Sequence, residues 1–252
     1  GHSLLATQML SRIRRRLNVS LPLRTLFEGG TLEELAQAVD QQAQVSDDSE
    51  IVPAPRNQAL ALSYAQQRLW FLDRFEGPNA AYNMSSVVRL RGTLDIAALQ
   101  QALQRVLERH EALRTTYHLN GEQPCQVINE APTLDLTPVT VESHALQSVI
   151  DRQSAQPFDL QQAPMLRAHL LHLGTDDHVL QLVLHHIATD AWSMGILIQE
   201  LITGYQAYSS GAVPAFSPLP IQYADYAQWQ RSEPQQRQLA RAIDYWRRQL
   251  DG

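Results

Sequence analysis

The 252-residue sequence predicts a mixed α/β fold with flanking helices, preceded by a small all-helical unit. The strongest sign of a sheet is the run 179–184, in which five of six residues are apolar, a length that suits a buried strand. The strongest sign of a helix is the sequence after Asp190, where apolar residues recur at intervals of three and four. Strand and helix patterns alternate in this way through residues 57–252, which is typical of a layered α/β fold.

Composition limits the class of protein. A net charge of -6 and 44% hydrophobic residues are typical of a globular protein, and give no reason to expect nucleic acid or a membrane as partner. The sequence contains no membrane-spanning run and no signal peptide, so we expect a cytoplasmic location. Cys125 is the only cysteine, which excludes an intrachain disulfide and a cysteine zinc cluster. All basic residues are arginine, which excludes Schiff-base and Walker-type lysine chemistry.

Residues 1–42 predict the all-helical unit. Ser3 precedes an amphipathic pattern and is a natural N-cap, and residues 31–34 fit a capping box that opens a helix reaching about Gln42. A unit of this size is too small to hold a stable core alone, so we expect part of it to lie ahead of Gly1. Residues 43–56 are polar and end with two prolines, which predicts a linker.

Residues 57–252 supply the elements of the α/β fold. The patterns predict strands at 86–91, 134–141, 165–173 and 179–184, a hairpin over 115–128 turning at Asn120 and Gly121, and helices from Asp95 to about Arg114, from Ser143 and after Asp190. The last fifty residues are predicted to be helical, with breaks at Pro218, Pro220 and Pro234.

The most specific chemistry follows the apolar run. His185 and His186 stand at the end of the predicted strand, and Thr189 or Asp190 stands where a helix N-cap belongs. Histidine titrates near neutrality and takes protons from amines and hydroxyls, so the pair is a candidate for acid/base chemistry. Consecutive residues of a strand point to opposite sides, so only one ring of the pair is expected to face a site.

Structural interpretations compete with that hypothesis. One histidine can be packed in the core, and Asp190 can be no more than a cap. No metal site is predicted, because His186 and Asp190 offer two ligands where zinc needs three or four. His169, His172 and His178 lie nearby in sequence, but no pattern brings them to the same point.

Four stretches resemble the motifs of one enzyme family. Residues 63–72 match Ser-x-Ala-Gln-x-Arg-Leu-Trp-x-Leu, and residues 109–117 (RHEALRTTY) match the second motif. Residues 185–193 match the His-His-x-x-x-Asp-Gly signature, and residues 223–229 (YADYAQW) match the fourth motif. In this order they resemble a condensation domain of a nonribosomal peptide synthetase, whose signature is shared with chloramphenicol acetyltransferase-like enzymes. Residues 1–4 (GHSL) resemble the Gly-Gly-x-Ser-Leu site of a peptidyl carrier domain.

The resemblance implies an organisation for the chain. Residues 1–42 would be the C-terminal part of a peptidyl carrier domain, residues 43–56 a linker, and residues 57–252 the N-terminal, chloramphenicol acetyltransferase-like lobe of a condensation domain. A complete condensation domain has two lobes with the active site between them. We therefore expect the isolated fragment to be inactive without the second lobe.

The resemblance also implies roles for residues. Ser3 would carry 4′-phosphopantetheine as a phosphodiester, and a helix N-terminus suits that anion. His186 would act where an acceptor amine attacks a donor thioester, while His185 and Asp190 would shape the turn. The remaining motif residues would be structural, with Arg68, Arg109, Glu111 and Arg114 in buried ion pairs and Tyr223, Asp225 and Trp229 in lobe packing.

One departure from the signature affects these expectations. Ala191, followed by Trp192, stands where the family has glycine. Glycine permits close backbone approach, so the added methyl group is expected to crowd the donor path or tilt the turn.

The resemblance leaves three functions open. The first is amide-bond formation between carrier-bound thioesters, which the sequence of residues 63–72 favours. The second is the related epimerisation domain, which abstracts an α-proton. The third is a non-catalytic fragment that only docks carriers. The implied partners are carrier domains bearing thioester substrates, adjacent adenylation domains, the second condensation lobe and a phosphopantetheinyl transferase.

Overall fold

The computed structural model describes residues 3–28, 31–41 and 50–251. The chain divides into two compact units, Gly1–Glu50 and Ile51–Gly252. Of the linker predicted at residues 43–56, residues 43–49 lie outside the described residues and residues 51–56 belong to the second unit.

The first unit is helical in its described part. Its helices are α1 (Ser3–Leu17), α2 (Thr25–Glu28) and α3 (Leu32–Gln41), packed around Val19, Leu21 and Leu35. The capping box predicted at residues 31–34 is confirmed. The Thr31 N–H donates to Glu34 Oε2 at 3.0 Å, and the Glu34 N–H donates to Thr31 Oγ1 at 3.2 Å. Ser3 is already helical in the described part of α1, which differs from the cap position that was predicted, and the two residues before it lie outside the described residues.

The second unit alternates strands and helices, as predicted. In its described part the strands are β1 (Leu60–Ala61), β2 (Asn83–Arg91), β3 (Thr115–Asn120), β4 (Gln123–Ile128), β5 (Val139–Thr140), β6 (Leu166–Gly174) and β7 (Asp177–His185). The helices are α4 (Tyr64–Glu76), α5 (Ile96–Arg109), α6 (Leu146–Ser154), α7 (Ala191–Ser209), α8 (Tyr223–Gln230) and α9 (Glu233–Leu250). Two short 3-10 helices lie at Glu111–Arg114 and Ser143–Ala145.

The strands form two sheets rather than one. The smaller sheet has the order β1-β4-β3 and is antiparallel. The larger has the order β2-β7-β6-β5 and is mixed, because β5 runs parallel to β6 while the other pairs are antiparallel. Strand β7 is buried at every residue after Asp177, which explains why five of the six residues 179–184 are apolar.

Helices α5 and α7 cover one face of the larger sheet. Their buried leucines, such as Leu103 and Leu197, pack against Leu170, Leu182 and other sheet residues in the largest core cluster. Gly204 lets the two helices approach closely, because a Cβ atom there would lie 3.1 Å from the Cβ of Ala102. The end of β7 and the start of α7 are thereby held in one rigid frame.

Three element predictions need correction. The strand predicted at 134–141 shrinks to β5, because Leu134 and Leu136 are buried without joining a ladder and Pro138 has no N–H to donate. Helix α5 ends at Arg109, five residues earlier than predicted, and the chain continues as a 3-10 helix. The predicted hairpin is present, but Asn120 pairs with Gln123, so the turn consists of Gly121, with a φ of 64°, and the residue after it.

An ion-pair network fastens the start of the second unit to α8. Arg56 donates to buried Asp225 at 2.6 Å and to Glu111 at 2.7 Å, and the Ala54 N–H also donates to Asp225 at 2.8 Å. Burial alone would raise the pKa of the Asp225 carboxyl, but hydrogen bonds from Arg56, Ala54 and Gln222 outweigh it and leave that pKa below its ordinary value. Asp225 therefore stays ionised and holds this segment in place.

Within residues 3–28, 31–41 and 50–251, none of the helices combines the length and apolar character needed to cross a membrane.

Candidate functional site

The candidate site lies at the turn between β7 and α7. Strand β7 ends at His185, and Asp190 is the N-cap of α7, accepting a hydrogen bond from the Ser193 N–H at 2.8 Å. Thr189 and Asp190 were both predicted as possible N-caps, and Asp190 is the residue that caps α7. That hydrogen bond lowers the pKa of the Asp190 carboxyl, and its effect is larger than that of burial, which acts in the opposite direction. An ionised aspartate also suits the positive end of a helix.

His185 faces the interior, where its side chain is 3% exposed. Its ring packs against Phe158, with ring centroids 5.9 Å apart, and against Tyr82 at 6.3 Å. The Ile187 N–H donates to His185 Nδ1 at 3.1 Å. Burial, together with the charges of His186 and Arg167, lowers the pKa of His185 to about 4. His185 is therefore neutral at pH 7 and serves to pack the turn.

His186 faces the opposite way and is exposed, as the alternation of a strand predicts. Its backbone N–H donates to the Tyr82 carbonyl at 2.8 Å, which extends the pairing of β2 with β7. Its Nδ1 lies 2.6 Å from the Thr189 carbonyl oxygen. A carbonyl only accepts, so Nδ1 carries the proton in this hydrogen bond. In the neutral ring Nε2 then has a free lone pair, which is the form that a general base requires.

Ala191 and Trp192 form the first turn of α7. Ala191 is exposed and helical, and among the described residues only Asn18 combines a side chain with a positive φ. The backbone at Ala191 therefore does not need glycine, and the expected effect of its methyl group on the donor path or the turn stays a prediction. Trp192 is 43% exposed at the same end of the helix.

The predicted arginine ion pairs have different outcomes. The ion pair predicted for Arg109 is confirmed, because its Nε lies 3.0 Å from Glu200 and both side chains are largely buried. Glu111 is paired with Arg56. Arg114 donates instead to the carbonyls of Asn129 and Glu108, so its predicted ion pair is wrong. Arg68 is exposed on α4, which contradicts the buried ion pair predicted for it.

The fourth motif packs within this lobe. The Tyr223 hydroxyl lies 3.1 Å from Ser63 Oγ at the cap of α4, which connects the fourth motif to the first. The ring of Tyr226 lies between those of Tyr223 and Trp229, at centroid distances of 5.5 and 5.7 Å. Together with Asp225, these residues hold α8 against the start of the second unit.

No three histidine, cysteine, aspartate or glutamate side chains in the described part of the chain are placed to hold a metal ion. His172 and His178 pair across β6 and β7, with ring centroids 5.0 Å apart, at the end of the hairpin away from His186. His169 pairs instead with Gln181 in the same ladder.

Sequence reasoning missed several contributors to this turn. Tyr82 supplies the carbonyl that fixes the His186 backbone, and Phe158 packs the His185 ring, but both come from distant segments with no local signal. Ser193 was detectable, because Asp190 and Ser193 have the spacing of a capping box, which the structure contains.

The fold and the histidine-bearing turn are those of an acyltransferase-type class of enzyme. Residues 56–252 match the family model of the condensation domain, and residues 1–39 match that of the phosphopantetheine attachment site. The chain belongs to the condensation-domain family and carries a phosphopantetheine attachment site, as the motifs predict. These matches do not favour the epimerisation alternative.

Similar proteins agree with this assignment. A linear gramicidin synthase of Brevibacillus parabrevis is 44% identical over 261 residues, which cover 99% of this chain and 3% of that protein. The X-domain from teicoplanin biosynthesis is 36% identical, with a TM-score of 0.68 over 72% of this chain and 40% of that one. The first condensation domain of the CDA synthetase shares the fold, with a TM-score of 0.59 at 23% identity over 65% of this chain and 44% of that one. The chain thus spans less than half of each of these proteins.

The buried state of His185 predicts a pH-dependent stability. Its native pKa of about 4 lies below the ordinary value of about 6.5, so the unfolded chain binds a proton first as the pH falls. The contribution of His185 is therefore complete above about pH 6.5 and is lost as the pH falls towards about 4. In His185→Asn, Oδ1 replaces Nδ1 as acceptor without titrating. We expect this variant to lose less unfolding free energy between about pH 7 and about pH 5 than the unmutated protein, as measured by urea denaturation.

Exposed His144 provides the matched control, because His144→Asn makes the same substitution at an imidazole that is not buried. The control is expected to keep the pH dependence of the unmutated protein. Equal pH dependence in His185→Asn and the unmutated protein would contradict the buried, neutral state of His185.

Proposed function

We propose that this chain supplies the histidine-bearing lobe of a domain that forms amide bonds in nonribosomal peptide synthesis. The donor is a peptidyl or aminoacyl thioester and the acceptor is an aminoacyl thioester, each held on a carrier domain. The observation that carries the proposal is the hydrogen bond from His186 Nδ1 to the Thr189 carbonyl, which leaves Nε2 as an exposed acceptor. The domain is completed by a second lobe.

The role proposed for His186 follows from the proton balance of the reaction. The acceptor nitrogen attacks the donor carbonyl carbon, a C–N bond forms, and the C–S bond of the donor thioester breaks. The attacking amine must lose a proton, and the departing sulfur must gain one. Nε2 of His186 takes the proton from nitrogen and then gives it to the departing sulfur, while Nδ1 keeps its own proton in the bond to Thr189. A positioned general base of this kind contributes roughly 10²–10⁴-fold in rate.

Ser3 is the proposed attachment point for phosphopantetheine, whose thiol holds acyl groups as thioesters when it is present. Helix α1 is described from Ser3 to Leu17, and its first described turn contains no acidic residue. Free backbone N–H groups at a helix N-terminus favour a phosphate, and here no carboxylate of that turn opposes it. The described start of α1 therefore fits the group. A phosphopantetheinyl transferase and adjacent adenylation domains are the partners that this role requires.

The first test of the proposal is His186→Ala in a two-lobed enzyme that contains this chain. With donor and acceptor carriers loaded beforehand, we expect the single-turnover rate of amide formation to fall roughly 10²–10⁴-fold, because the base is removed. The melting temperature and carrier loading should be unchanged, since His186 is exposed. His144→Ala, at another exposed histidine, is the control and should keep the full rate. A full rate in folded His186→Ala would exclude the proposed role.

The second test concerns Ser3 in a protein that contains the complete carrier domain. Incubation with a phosphopantetheinyl transferase and coenzyme A should add the mass of one phosphopantetheine arm, and Ser3→Ala should abolish the addition. Ser11→Ala is the matched control, because Ser11 is an exposed serine of the same helix. Intact-mass spectrometry distinguishes the outcomes. An unmodified parent protein, or modification that persists in Ser3→Ala, would refute the assignment.

A further inference from the structure

One peptide group, the Thr189–Asp190 peptide, is held at both of its edges. Its carbonyl oxygen, from Thr189, accepts the hydrogen bond from His186 Nδ1 at 2.6 Å. Its N–H, from Asp190, donates to the hydroxyl oxygen of Ser193 at 2.7 Å. A rotation of this peptide plane would move both partners at once. The orientation of the His186 ring is therefore coupled to the position of the Ser193 hydroxyl.

The hydrogen bonds of Ser193 leave its hydroxyl little freedom. Ser193 Oγ lies 2.7 Å from Asp190 Oδ1 and can donate only one proton, which the carboxylate accepts. The same oxygen receives the Asp190 N–H, and the Thr189 hydroxyl lies 3.0 Å away and can donate to it as well. Thr189 is 8% exposed, so this second contact is shielded from water. The hydroxyl is thus fixed on three sides.

The Ser193 hydroxyl supplies one half of the capping box of α7, and the other half does not use it. The Asp190 carboxylate already caps the helix by accepting the Ser193 N–H at 2.8 Å, and that bond uses the backbone of Ser193. Helix α7 is also held by its packing against α5 and the larger sheet. What the hydroxyl adds is an acceptor for the N–H of the peptide that orients His186. An amide whose N–H is hydrogen-bonded is polarised, which strengthens its carbonyl as an acceptor.

We infer that Ser193 is a positioning residue for His186. Acting through the Thr189–Asp190 peptide, its hydroxyl holds the His186 ring in the tautomer with the proton on Nδ1 and keeps Nε2 aimed away from the turn. The effect on the tautomer depends only on this geometry. The effect on amide formation also rests on the function proposed for His186.

The test uses this chain with isotopically labelled histidine and long-range ¹H–¹⁵N NMR at about pH 8.5, where an ordinary imidazole is neutral. His186 is assigned by comparison with His186→Gln. In the unmutated protein, Nδ1 should have the shift of a protonated nitrogen and Nε2 that of an unprotonated one. In Ser193→Ala the two shifts should move towards each other as the tautomers mix. Ser193→Thr, which keeps a hydroxyl, should restore the original shifts.

Two further variants test whether the change in the His186 shifts is specific to the Ser193 hydroxyl. Ser210→Ala removes the hydroxyl of an exposed serine that follows α7 and donates to the Ala207 carbonyl, so the His186 shifts should not change. Ser193→Cys places a weak acceptor at the same position and should reproduce the loss in part, which covers the case in which Ser193→Ala does not fold. Unchanged His186 shifts in folded Ser193→Ala or Ser193→Cys would overturn the inference.

A rate measurement separates this inference from the proposed function. In the two-lobed enzyme, Ser193→Ala should lower the single-turnover rate by roughly 10- to 10²-fold, the scale expected for a misplaced catalytic group. The melting temperature should fall little, and Ser193→Thr should recover the rate. If the tautomer changes while the rate does not, the positioning role stands and the base role of His186 fails.

Discussion

The hydrogen bond between His186 Nδ1 and the Thr189 carbonyl is the interaction on which the site depends. It requires the chain to turn within four residues of the end of β7, and the Asp190 cap follows that turn at the start of α7. It also requires the histidine backbone to be fixed, which the Tyr82 carbonyl does. Together these contacts turn an exposed side chain, free to rotate in most settings, into one with a defined tautomer and direction.

His185 and His186 have different roles because successive side chains at the end of the strand point to opposite sides. His185 faces inward, and desolvation keeps it neutral against Phe158, so it contributes packing without bringing a charge beside the site. The surrounding frame resists movement since β7 is central in the larger sheet and α7 packs on α5. Elsewhere in this unit, Arg56 links Asp225 to Glu111, so that the first, second and fourth motifs are tied to one another through their backbone and side-chain contacts.

Local rules were sufficient to predict much of this arrangement. The apolar run gave β7, the spacing after Asp190 gave α7 and its cap, and strand alternation assigned His185 and His186 to opposite sides. The features that were not predicted depend on contacts between residues far apart in the sequence. Whether Arg68 or Arg109 finds a carboxylate depends on which helix passes nearby, and Glu200 reaches Arg109 from far along the chain. The division into two sheets and the contact with Tyr82 also depend on pairing between distant segments.

We propose that Nε2 of His186 contacts the acceptor amine during amide formation. A crystal structure of a two-lobed enzyme containing this chain, trapped with stable analogues of the donor thioester and the acceptor amine, measures that contact directly. We expect Nε2 to lie within roughly 2.6–3.2 Å of the acceptor nitrogen while Nδ1 remains hydrogen-bonded to the Thr189 carbonyl. An acceptor nitrogen held by other groups, with Nε2 out of reach even through one water molecule, would contradict it.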